Sequence, residues 1–562
     1  MKTNKKSALK AFLITLGAVI AINIAGNYVY KRIDLTNDQR YTLSQTTKDI
    51  LQNVDESLTI EVYLEGQFPS SFKKLQTETR QLLDEYSSIN SNIHFEFVNP
   101  LEGANEQEKL SKAEELYVNG MRPLNITVNE KGKQSQEMVF PWAVANYNSK
   151  QVKIPLLKNT MAMTTEETVN TSVQHLEYAI SDAIKKVTTE KSKKIAIVKG
   201  IGEPADVEIA DLLLSVREAY YIAPFVMDSV AVNPTGTLQQ LKEYDVILVN
   251  KPTKAFTESQ IQVLDQYIVN GGKAMFFLDE VQADLDSLQR NGEMLAFPKD
   301  MSLGNMLFKY GVRVNPVLVK DEVAAPIKIA IGSQGSQTQY QEFIWKFSPT
   351  PYPLIDHPIV KNIEAVKFEF ANAIDTLKNN VKKTVLLQSS KYSKSVGSPL
   401  AVSLNMLGEQ TDVNEYYGKG DIPLAVLLEG NFTSMFKNRV LPFKDSTFKE
   451  EGKDNKIIVV ADGDVVRNQI DQNQQPLELG YDKWTNKLYG NKEFVLNSLN
   501  YLTDDSGLLT LRSKEVKLSL LDKEAVYKDY NRIQTLLVVV PVLVILLLAF
   551  TFTYIRKKKY TK

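Results

Sequence analysis

Lys194-Ile-Ala-Ile-Val198, Tyr244-Asp-Val-Ile-Leu-Val249 and Lys273-Ala-Met-Phe-Phe-Leu278 are the stretches that decide the fold of this chain. Their apolar runs (195–198, 246–249 and 275–278) are continuous rather than alternating, as strands covered by helices on both faces must be. Between Lys193 and Asp279 the pattern predicts strand 194–198, helix 205–219, strand 222–227, strand 244–249, helix 257–269 and strand 273–278. That order is the signature of a parallel sheet. Val207, Ala210, Leu213 and Leu214 are expected to form the buried stripe of the first helix, and Ile261, Leu264 and Ile268 that of the second. Thr257 with Gln260 can form a capping box, and Gly271-Gly272 supplies the stop. The expected core is therefore a doubly wound α/β sheet.

At 562 residues the chain exceeds a single hydrophobic core. Its 66 basic and 67 acidic residues leave almost no net field, so a nucleic-acid partner is not expected. The absence of cysteine removes disulfides, thiolate nucleophiles and thiolate metal sites together. Two segments, 11–30 and 536–555, are apolar over about 20 residues, the length that spans a bilayer. The first follows Lys2, Lys5, Lys6 and Lys10, and the second precedes Arg556, Lys557, Lys558 and Lys559. The positive-inside rule then puts both termini in the cytoplasm and the bulk of the chain outside it. A cleaved signal peptide is disfavoured because bulky, charged residues follow the first segment, as in Asn27-Tyr-Val-Tyr-Lys-Arg32.

Between these anchors the pattern divides into an extracytoplasmic α/β domain over 33–160, a connecting helix over 165–190 and the central domain, with insertions, over 191–510. A juxtamembrane segment, 511–535, precedes the second span, and residues 1–10 and 556–562 form the cytoplasmic ends. The N-terminal domain opens with a helix over 45–53 capped by Ser44. Strand 58–64, helix 71–87 and strand 93–98 follow as a separate βαβ unit. In the second half a helix over 302–310 closes at Gly311. Residues 334–341 and 349–353 look like polar or proline-rich interruptions among short strands. Strand 456–461 and helix 494–501 return the chain to the central sheet.

The candidate chemistry lies at the strand ends. Gly200-Ile-Gly-Glu-Pro-Ala205 has the spacing of a dinucleotide-binding turn. Yet Glu203 brings negative charge to a pyrophosphate position and Pro204 removes a donor. Gly200, Gly202 and Glu203 are thus expected to shape a turn. Asp228, at the end of the next strand, stands where a ribose-binding acid would. Asp462-Gly-Asp464 could hold Mg²⁺ or Ca²⁺, though two carboxylates supply few of the ligands required, and a tight turn explains the same residues. The histidines His94, His175 and His357 have no metal-ligand spacing, and neither a phosphate-binding P-loop nor a nucleophile elbow is present. No cofactor or metal is expected.

The order of these features is itself informative. A short cytoplasmic start, an anchor, Ile33-Asp-Leu-Thr36 and Tyr41-Thr-Leu-Ser44, the Gly-x-Gly-Glu-Pro turn, Ala461-Asp-Gly-Asp464 and a terminal anchor together resemble GldG, the gliding-motility-associated accessory component of an ABC transporter. Members often carry His in the glycine turn, where this chain has Ile201. The resemblance implies a cytoplasmic-membrane protein whose periplasmic domain works with a separate ABC permease subunit and a separate ATPase subunit. It implies no catalytic residues. Two readings follow: a non-enzymatic accessory subunit presenting a ligand or partner surface at Gly200, Gly202, Glu203, Asp228, Asp462 and Asp464, or a membrane-tethered periplasmic enzyme using those carboxylates.

Overall fold

The computed structural model describes residue 10, residues 12–21, residues 42–513 other than 67, 104, 131–132, 159, 162, 335–336, 410 and 505–506, and residues 527–560. It separates into two units, Leu43–Lys514 and a terminal unit made of Met1–Thr42 with Glu515–Lys562. The opening motif Ile33–Thr36, residues 22–30 of the first candidate span and most of the juxtamembrane segment lie outside the described residues.

The large unit begins with α1 (Gln45–Gln52), capped as expected by Ser44, whose hydroxyl accepts from the Thr47 N–H. Strand β1 (Leu58–Val62) alternates buried and half-buried positions and pairs in parallel with β2 (Ile93–Phe97) across α2 (Ser70–Ile89). Two antiparallel strands, β3 (Trp142–Tyr147) and β4 (Lys150–Pro155), complete a four-stranded sheet of order β2-β1-β3-β4. The long helix α3 (Thr165–Thr188) opens on a capping box between Thr164 and Glu167. Its Val169, Leu176, Ile180 and Ile184 share one core with the strands and with Phe72, Leu75 and Leu83 of α2.

A seven-stranded sheet organises the rest of the unit. Its strands are β5 (Lys194–Lys199), β6 (Tyr221–Val226), β7 (Val246–Asn250), β8 (Lys273–Phe277), β9 (Lys382–Gln388), β10 (Pro423–Thr433) and β11 (Glu451–Val460), in the order β9-β10-β11-β8-β7-β5-β6. The run from β11 to β6 is parallel, and β10 and β9 are antiparallel additions. The continuous apolar runs are explained by where successive residues go. Ala196, Val198, Ile247, Val249, Ala274 and Phe276 enter one core, and Ile195, Ile197, Val246, Leu248, Met275 and Phe277 enter another on the opposite face. The chain is therefore mixed α/β.

Helices α4 (Ala210–Ala219) and α8 (Asn491–Thr503) supply Leu212, Val216, Phe494, Val495 and Leu499 to the second core. Helices α5 (Pro234–Leu241), α6 (Glu258–Val269) and α7 (Gly304–Tyr310) supply the first. The expected stripe on the helix after β5 is displaced. Val207 and Leu214 are 39% and 60% exposed, and Ile209, Leu212 and Val216 are buried instead. Residues 206–209 form a 3₁₀ turn, whose tighter winding rotates the following helix relative to a continuous α-helical count. Helix α5 had no counterpart in the pattern, although its start is well marked. Pro234 occupies its first turn and Asn233 caps it by accepting from the Gly236 N–H.

Helix α6 bears out its capping box, with Thr257 and Gln260 bonded reciprocally. It is buried on every side. Its Asp265 accepts from the hydroxyls of Tyr310 and Ser434 and from the Met435 N–H, while Gln262 and Gln266 exchange bonds with the backbone of Phe443 and Lys449. Within 334–341, Gln334 and residues 337–341 prove to lie in strands rather than to interrupt one. They belong to an antiparallel ribbon, Ala324–Gln334 with Gln337–Pro349. Its described outer residues are largely exposed on both faces, which leaves no apolar alternation to read.

In the terminal unit, Phe12–Ala21 is a short apolar helix, and α9 (Tyr530–Tyr560) contains a 29-residue stretch, Tyr530–Lys558, long and apolar enough to cross a membrane. At 1.5 Å per residue this exceeds the roughly 30 Å hydrocarbon thickness.

Candidate functional site

All six candidate residues fall at the carboxyl ends of the parallel strands, where ligands of open α/β sheets bind. Gly200 and Gly202, after β5, have φ of +85° and +73°, the left-handed region that only glycine enters without cost. A Cβ on Gly200 would lie 3.1 Å from the Asp228 carboxylate, so that acid sits against the turn. A Cβ on Gly202 would lie 2.1 Å from Thr253 Oγ1 of the loop after β7. The two loops are tied together: the Thr253 and Lys254 N–H groups donate to the Ile201 carbonyl, and the Thr253 hydroxyl donates to the Gly202 carbonyl.

The donors a phosphate would need are already engaged. The Ile201 N–H donates to Glu203 at 3.0 Å, and the Ala205 N–H donates to Glu208 at 3.0 Å. Glu203 in turn lies 3.7 Å from Lys199, which also pairs with Asp206 at 2.6 Å. The chain's own carboxylates thus occupy the anion positions of the turn.

Asp462 and Asp464 follow β11 and are joined by Asp279, at the end of β8. Asp462 is fully buried and accepts from the Glu369 and Asp464 N–H groups at 2.5 and 2.7 Å. Asp279 accepts from the Gly463 N–H at 2.6 Å. The cation among them is Lys251, which pairs with Asp464 and lies 3.5 Å from Asp279. Lys299 is 3.7 Å from Asp279, and Arg467 bridges Asp464, at 2.8 Å, to Glu208. Through Arg467 the aspartate loop and the segment after the glycine turn form one ion-paired assembly.

Lys251 is held there by unusual backbone, with φ of +43° at a non-glycine residue. Its side chain packs so closely on Gly463 that a Cβ there would lie 2.4 Å from Lys251 Cγ. Burial alone would lower the Lys251 ammonium, but Asp464 and Asp279 outweigh it and raise its pKa. Burial would raise Asp464, yet Lys251 and Arg467 hold it below the usual carboxylate range. Asp462 is pushed well above that range by burial and by the neighbouring Asp464 and Asp279. Glu280, next to Asp279, is pushed up to about 7 by burial and by Asp300.

Sequence reasoning singled out neither Lys251, Asp279, Lys299 nor Arg467. Lys251 and Asp279 each follow an apolar strand immediately, and that position was the available signal. Asn250, the last residue of β7, was also missed. It is 1% exposed, and neither polar atom of its side chain has a hydrogen-bond partner among the described residues. Among the described residues no three His, Asp or Glu side chains are grouped to hold a metal ion. The histidines lie elsewhere, His94 exposed on β2, His175 against Tyr178 and His357 against Tyr501.

A sheet with a salt-bridged carboxyl edge, in a chain that also carries one helix long and apolar enough to cross a membrane, defines a mixed α/β protein with a membrane-capable helix. The chain belongs to the family described as "ABC-type uncharacterized transport system", whose model matches residues 192–498 and so includes this assembly. The family is one of auxiliary components of ABC-type transport systems. A second model, for a domain of unknown function, matches residues 37–146. An uncharacterized protein of Borreliella burgdorferi is 20% identical over 574 residues, covering 99% of both chains. Among solved structures, the "mmIFT52 N-terminal domain" aligns with 56% of this chain and 99% of its own at 13% identity, with a TM-score of 0.32. That likeness is too slight to define a fold.

Proposed function

We propose that the protein is a non-enzymatic accessory subunit of an ABC-type transporter in the cytoplasmic membrane. In this reading, spans at 11–30 and 536–555 place both termini in the cytoplasm and the α/β region in the periplasm. There, a doubly wound central domain meets a separate permease subunit, which works with a separate ATPase subunit. The observation that carries the non-enzymatic role is the occupation of the strand-end carboxylates. Asp464 and Asp279 face Lys251, Lys299 and Arg467, and Asp462 accepts two backbone N–H groups, so none of these acids is poised as a general base or an open metal ligand. Gly200, Gly202, Glu203 and Asp228 then shape the rim of a partner-facing surface. The link to gliding motility rests on the order of motifs along the chain.

Affinity purification of the intact chain in mild detergent tests this reading. A permease and an ATPase are expected to co-purify in stable proportion, and Asp464→Asn is expected to loosen the fold without abolishing a turnover. Recovery of the chain without transporter subunits, together with a hydrolytic activity lost in Asp464→Asn, would replace the accessory role by an enzymatic one.

A further inference from the structure

Arg556, Lys557 and Lys558 follow the apolar stretch of α9 without a break in the helix, which runs on to Tyr560. Lys559 continues the basic run in the sequence, and no aspartate or glutamate follows Asp529. Successive residues of an α-helix are turned by about 100°, so three in a row point to three sides of the axis. All three are exposed. They form a collar around the helix rather than a stripe along it. At the other end of α9 the charges are mixed, with Lys528 beside Asp529 and Arg532 one turn on.

The depth of the collar follows from the helix rise. Residues 536–555 climb about 30 Å at 1.5 Å each, which matches the hydrocarbon core of a bilayer. The next three residues occupy about 5 Å more, within the headgroup layer of a membrane about 40–45 Å thick overall. Phe550, Phe552 and Tyr554 are exposed and bring aromatic rings to the same boundary, where such rings collect in membrane proteins. Lysine and arginine stems lie along apolar surface while their charges reach polar groups. The bilayer-length stretch and the collar are independent features of the helix, and both point to lipid.

A helix C-terminus also favours cations through its dipole, but that effect is served by charges on any one side. A groove in a partner protein would be met by a stripe. A collar is complementary to a ligand that surrounds the helix. We propose that Arg556, Lys557 and Lys558 gather anionic phospholipid headgroups around the C-terminal end of α9, so that the protein selects the lipid next to this span. The proposal rests on reading α9 as a membrane span. Each basic residue at an anionic leaflet favours it by about fivefold, and the effect falls off within a Debye length.

Native mass spectrometry of the intact, detergent-solubilised chain tests this, by comparing bound phosphatidylglycerol with bound phosphatidylcholine at low and moderate salt. A preference of about fivefold or more for the anionic lipid is expected, weakening with salt. It should fall by about threefold or more in the Arg556→Gln/Lys557→Gln/Lys558→Gln variant and persist in Arg556→Lys and in Lys528→Gln/Arg532→Gln. Melting of the α/β region should match the parent in each variant. A micelle has no sides, so loss of the preference is distinct from a failure of the two-span topology. Equal binding of the two lipids, or a preference unchanged in the triple variant, would overturn the proposal. Displacement of the lipid by inorganic phosphate would also overturn it, because the collar would then be a site for soluble anions. Extraction of the chain from membranes by alkaline carbonate would remove the span and the proposal with it.

Discussion

Lys251 and Glu280 show how much the carboxyl edge of the sheet depends on single ionisable groups. Lys251 is the cation that Asp464 and Asp279 share, and its removal would leave two buried carboxylates with only Lys299, beside Asp279, and Arg467, beside Asp464, to balance them. Lys251→Met is expected to cost about 3–5 kcal/mol, the range for breaking a buried pair by deleting one partner. Urea denaturation measures it, and a loss below about 1 kcal/mol would mean that the acids are compensated elsewhere. Glu280 acts in the other direction. Its carboxyl is pushed up to about 7, so the folded state binds its proton more tightly than the unfolded chain does. The associated stability is present in acid and is lost as pH rises from about 4.3, the unfolded value, through 7. Glu280→Gln is therefore expected to be close to neutral at pH 4 and stabilising by about 1–3 kcal/mol at pH 8. Denaturation curves at the two pH values decide it, because a constant offset would show that Glu280 titrates normally.

At the scale of elements, the glycine turn and the loop after β7 behave as one clasp. Gly202→Ala places a methyl against Thr253 and forces L-residue geometry at φ +73°, whereas at Gly200 the nearest atoms belong to the end of the Asp228 side chain, which can move. Gly202→Ala is expected to cost about 2–4 kcal/mol from backbone strain and overpacking together, and Gly200→Ala about 1. Equal losses in thermal or urea unfolding would show that the clasp is looser than its hydrogen bonds imply. The same elements show what could be read in advance. Strands β5, β7 and β8 were legible because both faces are buried, so their apolar runs required no partner to interpret. The stripe of α4 was not, since the 3₁₀ turn at 206–209 shifts its phase, and the Ala324–Pro349 ribbon was hidden by its polar outer half. At the site, Gly200, Gly202, Glu203, Asp228, Asp462 and Asp464 were visible as strand-end residues. The neutralisation of the acids by Lys251, Lys299 and Arg467 was not, because Lys251 meets Asp464 and Arg467 meets Glu208 across more than two hundred positions, and the nearer pairs, Lys299 with Asp279 and Arg467 with Asp464, carry no periodicity that sets them apart from other loop charges.

At the scale of the whole molecule, the proposed two-span topology would fasten the α/β region to the membrane at both of its ends. A tether needs one span, and a second at the opposite end of the chain removes conformational freedom that a simple anchor would leave intact. The second segment lies in α9, which carries Pro541 inside the helix, and the first contains Gly17 and Gly26. Proline permits a bend and glycine permits close helix approach, both of which serve packing against other membrane helices. We therefore expect the spans to be part of the transporter interface as well as its anchor. A reporter active only in the periplasm, inserted at Gly335, should be active, and the same reporter at either terminus should be silent. Replacing 536–555 by an unrelated transmembrane segment should release the permease while leaving the melting transition of the α/β region unchanged. An active reporter at the C-terminus would overturn the two-span topology, and full retention of the permease after the replacement would confine the interface to the α/β region.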